Sequence, residues 1–329
     1  MFDWLFTFFG WIFRLIFSVV QNYGVALILL TILIKCLILP LNIKSQKAML
    51  KQQKLQPLMQ EVQRKYAHDK EKQSQELMKL YKENGASPTA GCLPMLLQFP
   101  IVIALYNVLQ RPLSYILGIN FNLPENITKV CNLQNAVAAN PELAVGAQKF
   151  TGATMEMVAN SSQIQMSDYA AKIGGEFNDW ALNFNFLGLN LSQSPSMCPI
   201  LDFIIRPAQV DPNLFWRTLP LLLIPVLAGV TSWLLGKMTQ NKNQQNQMNT
   251  QQNDQNSAAQ MSKSMTWMMP IMSVVFTFTL PAGIGLYWIT SNVFQMIQQH
   301  ITTVIFKKKE DEIVVIDTVK KNRKDSKNR

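Results

Sequence analysis

Lys35 lies inside an apolar stretch with no carboxylate near it in the chain. Residues 23–43 read YGVALILLTILIKCLILPLNI, and Lys35 is the one charge among them. A run of that length can cross a hydrocarbon core of about 30 Å. Lys44 follows nine residues later, which at about 1.5 Å per residue leaves Lys35 roughly 13 Å deeper. A lysine stem can snorkel over only part of that distance. Insertion scales set a central lysine at about 3 kcal/mol, so such a residue is expected to face a wet cavity and to have a task there.

The other polar residues within apolar stretches are not scattered. Thr31 precedes Lys35 by one helical turn and shares its face. Trp288, Ser291, Asn292, Gln295 and Gln299 recur at helical spacing near the C-terminal end, while Gln98 with Asn107 and Thr231 with Ser232 mark two further apolar runs. Stripes on several helices can line one hydrophilic groove, for which Lys35, Thr31, Gln98, Ser232, Trp288 and Asn292 are the candidate residues. Polar contacts between membrane helices, worth about 0.6 kcal/mol each, explain single Ser, Thr or Asn residues. They do not explain an unpaired lysine.

Other chemistry has little to stand on. His68 and His300 are the only imidazoles, and the four cysteines have no zinc spacing. No nucleophile–base grouping can be assembled. The run from Gly229 to Gly236-Lys237 has the wrong spacing for a phosphate loop, with Met238 where Ser or Thr is needed. The sequence therefore points away from an enzyme and implies no cofactor or metal.

Five spans must position the polar set, and they make the chain an all-α polytopic membrane protein. The divisions expected are an interfacial amphipathic helix over 1–20, a first span over 21–43, a helical hairpin over 44–88 and a second span over 89–118. A long loop over 119–213 follows, then a third span over 214–237, a linker over 238–265, a fourth span over 266–281, a fifth over 282–306 and a basic tail over 307–329. In the first helix Asp3, Thr7, Gly10, Arg14 and Ser18 form a narrow polar stripe on an aromatic-rich cylinder. Leu55, Leu58, Met59, Val62 and Tyr66 make one apolar stripe of the hairpin, and Leu77, Leu80 and Tyr81 the other, with a break at His68-Asp69. The loop shows no sustained period, and the charged tail is expected to lack order.

Charge sets the orientation. Residues 44–88 carry ten Lys/Arg against five acids, 111–213 five against eight, and 307–329 nine against five. Basic loops stay cytoplasmic, so the N-terminus and the long loop are expected outside and the hairpin, linker and tail inside. Cys131 and Cys198 then share the outer loop, where a disulfide between them can persist. Cys36 and Cys92 fall within spans.

The runs TILIKCLILPLNIKSQKAM at 31–49, GCLPMLLQFP at 91–100, FLGLNLS at 186–192, LPLLLIPVLAGVTSWL at 219–234 and PAGIGLYWITSN at 281–292 carry a family resemblance. The chain resembles the YidC/Oxa/Alb membrane protein insertases, nearest their Gram-positive form. That resemblance implies a five-helix core around a cytoplasmically open groove with a central positive charge. It implies insertion of hydrophobic segments of nascent membrane proteins into the lipid bilayer, alone or with the Sec translocon. It also implies delivery by the ribosome, with the signal recognition particle receptor as a further partner. The family's groove arginine maps onto Lys35, its neighbouring threonine onto Thr31 and its last-helix tryptophan onto Trp288. Lysine departs from the pattern, because it makes fewer directed bonds than arginine and can lose its proton in a dry site. The long loop departs as well. A small-molecule transporter or channel with a site at Lys35 is the rival reading, but it should show two related halves, and none is visible.

Overall fold

Asn22 starts the first long helix, and its side chain supplies the reason. The Asn22 Oδ1 accepts from the Val25 N–H at 3.1 Å and caps α2 (Tyr23–Lys65), which follows α1 (Asp3–Val20). The computed structural model describes residues 3–86, 93–144, 148–152, 154–157, 163–195, 219–244, 268 and 270–327. At 43 residues α2 is about 64 Å long, twice a hydrocarbon core. Only its Tyr23–Ala48 portion is apolar. The remainder is the first arm of a hairpin whose second arm is α3 (Lys70–Glu83), capped where the Asp69 Oδ1 accepts from the Lys72 N–H at 3.0 Å. Tyr81 OH donates to Met59 Sδ at 3.4 Å and Gln73 Nε2 to the Gln63 carbonyl at 2.9 Å. Leu55 and Tyr81 are buried while Leu58 and Met78 stay exposed, so the hairpin has only a small core.

Next come α4 (Leu93–Gln110) and a π-helical turn (Leu113–Leu117), then α5 (Pro124–Ala139) and α6 (Gln163–Ile173). A 3-10 turn (Gly175–Trp180) leads into a two-stranded hairpin of β1 (Asn185–Phe186) and β2 (Leu189–Asn190), with Asn185 opposite Asn190. A 3-10 turn (Leu219–Leu222) opens α7 (Leu223–Gln244). The short apolar helix α8 (Pro270–Thr279) turns at Leu280-Pro281 directly into α9 (Ala282–Lys327). Tyr23–Ala48 and Leu219–Thr239 are long and apolar enough to cross a membrane; Trp4–Val20, Gln98–Gln110 and Pro270–Thr279 are apolar but shorter.

The main core joins α1, α2, α4, α7 and α9 and includes Phe13, Leu27, Leu30, Leu105, Leu109, Ile224 and Tyr287. Tyr23 is its knot, with ring centroids 5.4 Å from Phe13 and 4.8 Å from Phe184 and a hydroxyl donating to the Leu109 carbonyl at 3.3 Å. The segment 183–193, which contains FLGLNLS, fastens the N-terminal ends of two helices. Tyr23 N–H donates to the Asn183 carbonyl at 3.1 Å, Ala282 N–H to Gln193 at 2.8 Å and Gly283 N–H to Leu191 at 3.1 Å. Helix starts leave backbone donors unpaired, and this segment accepts from both. Gly24 is needed at that junction, because a Cβ there would lie 2.6 Å from the Phe186 ring.

Three sequence expectations are corrected. The described residues of 119–195 form a folded lobe, with Val130, Leu133, Val137, Phe150, Met166, Phe177 and Trp180 in a second core. Its helices are short, so no period is sustained, although Val130, Leu133 and Val137 carry the 3–4 spacing and Pro124 occupies the favourable first turn. The charged tail continues α9 as helix to Lys327. An existing helix removes the nucleation cost, and residues 307–327 contain no Gly or Pro. In α1 the polar stripe turns partly inward: Arg14 Nε donates to the Ile116 carbonyl at 2.9 Å, and Gly10 lies against Tyr115. The exposed ridge consists of Trp4, Phe8, Trp11, Leu15 and Val19. Cys131 is exposed on α5, while Cys198, the partner expected for it, and Cys92 lie outside the described residues.

Candidate functional site

Helix α2 carries Lys35 at the level where α4 and α9 approach it. The side chain is only 4% exposed, and its Nζ donates to Gln98 Oε1 on α4 at 3.2 Å. Gln98 in turn donates through Nε2 to the Tyr287 hydroxyl on α9 at 2.7 Å. Tyr287 is also hydrogen bonded to Ser291, one turn further along α9. The amide is thereby oriented: with its NH2 group on the phenol, its carbonyl oxygen faces the ammonium. Among the described residues no carboxylate is within ion-pair distance of Lys35. A buried cation bonded to a neutral group keeps its field uncompensated, and a low-dielectric setting strengthens that field.

The remaining candidates divide among three other arrangements. Thr31 is buried, but its hydroxyl donates to the Leu27 carbonyl at 2.7 Å in its own helix. Asn107 likewise donates to Ile103 at 2.9 Å. Ser232 and Asn292 do meet: Asn292 Nδ2 donates to Ser232 Oγ at 2.8 Å and to Thr231 Oγ1 at 3.2 Å. Ser232 continues to Ser273 Oγ on α8 at 3.0 Å. This network ties α7, α8 and α9 together and satisfies its own members. Trp288 belongs to neither set, since its ring stacks on Phe276 of α8 at 6.3 Å between centroids and 22° between planes.

Three participants were not among the groove residues proposed from sequence. Tyr287 adjoins Trp288 in the sequence but points about 100° away from it, toward α2 and α4. Its signal was present, because a tyrosine at helical spacing from Ser291 continues a polar face. Ser273 left little trace, as one serine in a short apolar helix has no period to join. Gln298 is 5% exposed, whereas the expected Gln295 faces outward.

Comparison with known proteins agrees with the resemblance in the sequence. A protein of Fusobacterium nucleatum named membrane protein insertase YidC is 29% identical over 281 residues, 85% of this chain and 86% of that one. A Caldanaerobacter subterraneus protein of the same name is 27% identical over 292 residues, 89% of this chain and 90% of its own. A third, from Clostridium tetani, is 45% identical over 121 residues, which cover 36% of this chain and 54% of the relative. Residues 15–310 match the family described as 60Kd inner membrane protein. With most of its length inside that match, the chain belongs to the 60Kd inner membrane protein family.

Proposed function

We propose that this chain is a membrane protein insertase that lowers the barrier for polar segments of nascent membrane proteins by offering them Lys35. The observation that carries the reading is a buried ammonium whose one bonded partner among the described residues is an amide oxygen. Drawing polar groups through hydrocarbon costs several kcal/mol per group. A hydrated groove among five spans shortens the apolar path, and the free positive charge attracts acidic residues on the translocating tail. The hydrophobic segment then leaves sideways into lipid. Its partitioning drives the reaction, so no nucleotide is required.

The charge pattern supports an orientation with the N-terminus and the 119–195 lobe outside and the α2–α3 hairpin and tail inside. The exposed ridge of α1 suits a helix lying in the outer interface. The basic hairpin and tail fit contact with the ribosome, the signal recognition particle receptor or the Sec translocon. The small-molecule transporter is not favoured, since the relatives above carry an insertase name.

The decisive experiment places the purified chain in oriented proteoliposomes and follows single-span and double-span substrates made by a cell-free ribosome system. Insertion is expected only where the cytoplasmic side faces the ribosomes. Equal insertion by empty liposomes, or in both orientations, would remove the reading.

A further inference from the structure

The buried polar face of α9 does not stop at Tyr287. At about 100° per residue, Tyr287, Ser291, Gln298 and Thr302 fall within about 60° of one another. All four are buried. Asn292 and Gln299 lie about 20° apart on a neighbouring face. That second face is bonded to α7, through Ser232 and Thr231 at Asn292 and through Thr239 Oγ1, 3.3 Å from Gln299 Nε2. The first face begins in the Lys35–Gln98–Tyr287 chain and runs about 16 Å along α9 to Gln298. There both amide atoms of Gln298 are buried and have no hydrogen-bond partner among the described residues, and the same holds for Gln299 Oε1 beside it.

We infer that Gln298 is a second contact point for the substrate, one that binds an uncharged peptide group on the way to Lys35. This rests on the insertase reading and deepens it. A side-chain amide offers an acceptor oxygen and an NH2 donor. With both open, it matches the C=O and N–H of an extended main chain. An ammonium or carboxylate ligand would satisfy only one of the two. The position agrees with such a use, since a segment arriving from the C-terminal end of α9 meets the neutral amide before the charge. Buried amides are ordinarily hydrogen-bonded, and a leucine would fill the site without that requirement. The open pair thus has a function only when a partner of complementary polarity passes.

The test uses the full chain in proteoliposomes and substrates whose translocated tails are uncharged, one short and one long. Gln298→Leu should insert the long tail about fivefold more slowly, the effect of one lost hydrogen bond. The short tail should change less, and Gln298→Asn should restore part of the rate. Gln298→Met, closer in shape, should behave as leucine does. Both apolar variants should be at least as heat-resistant as the parent, which separates a lost contact from a damaged fold. A photoreactive residue at position 298 should capture a stalled tail. Parental rates for both apolar variants on the long tail, or capture of lipid and solvent alone, would overturn the proposal and leave Gln298 as a site for bound water. Failure of the broader reading looks different: the parent would insert nothing, or Lys35→Ala would be silent on acidic tails, which uncharged tails do not sense.

Discussion

Lys129 in the lobe and Lys35 in the helical core are the same side chain put to opposite ends. Lys129, on α5, forms an ion pair with Asp179 and sits 5.0 Å above the Trp180 ring. Nearby, Asp168 accepts from Lys172 Nζ at 2.7 Å and from Asn190 Nδ2 at 2.8 Å. Partial burial and that same carboxylate push the Tyr169 phenol up. Lys129 and Lys172 are thus each paired locally, and the Lys129–Asp179 pair ties α5 to the 3-10 turn. Lys35 is more buried yet has only an oriented amide for company. A paired, partly exposed lysine contributes shape, while a buried one without a counter-ion contributes a field that a visiting anion can sense.

The largest effect follows from reversing that field. Lys35→Glu should bring insertion of a substrate with two acidic tail residues down to the level of empty liposomes. At about 4 Å and an effective dielectric of 20, one charge contact is worth about 4 kcal/mol, ample for a hundredfold change. Lys35→Arg should retain activity, and the defect of Lys35→Ala should grow with the number of acids on the tail. Parental rates from both the alanine and glutamate variants on the two-acid substrate, at matched protein levels, would make Lys35 as structural as Lys129.

Much of this contrast was legible in the chain, for reasons particular to each residue. Lys35 announced itself because hydrocarbon penalises charge, so its placement had few explanations. The hairpin break at Asp69 was legible because an N-cap is a local event, written in four residues. The lobe was not, since its core is assembled from short helices far apart in sequence, with Leu113 packing near Trp180. Within the site, periodicity identified which helices carry polar stripes but not which neighbours they meet. Gln98 could have bonded any adjacent helix, and only the packing of α2 and α9 around α4 brings it to Tyr287. Trp288, assigned both by helical spacing and by resemblance, stacks on Phe276, a neighbour that spacing does not name. The choice between Gln295 and Gln298 turns on a rotation of about 60° about the helix axis, smaller than spacing alone resolves.

A second change would make the buried lysine resemble its counterpart in the lobe. Gln98→Glu puts a carboxylate at the position of Oε1, 3.2 Å from Nζ, and gives Lys35 its own counter-ion. Insertion of the two-acid substrate should fall about tenfold, because a second anion would meet a pair instead of a free cation. Thermal stability should hold, since the pair retains the hydrogen bond. The variant should also lose the parent's dependence on tail acids, a readout that disturbed packing would not produce. Tail-acid dependence like the parent's would place the attracting charge elsewhere in the protein.

The smallest effect is expected at Lys129. Lys129→Met keeps the apolar stem over Trp180 while removing the ammonium, and with it the ion pair to Asp179 and the cation–π contact. Asp179 is largely exposed, so water takes over its solvation at little cost. The pair is worth no more than about 1 kcal/mol and the ring contact a similar amount. Because the two share one ammonium, they do not add. Amide exchange across 124–139 and 163–180 should therefore quicken by about fivefold, the equivalent of about 1 kcal/mol. Protection in α2 and α9 should stay as it was, and insertion of the two-acid substrate should match the parent. Exchange that quickens in α9 as well would mean that the lobe and the helical core open together. In that case the contrast between the two lysines would be one of degree, with the lobe's internal pairing helping to hold the helices that position Lys35.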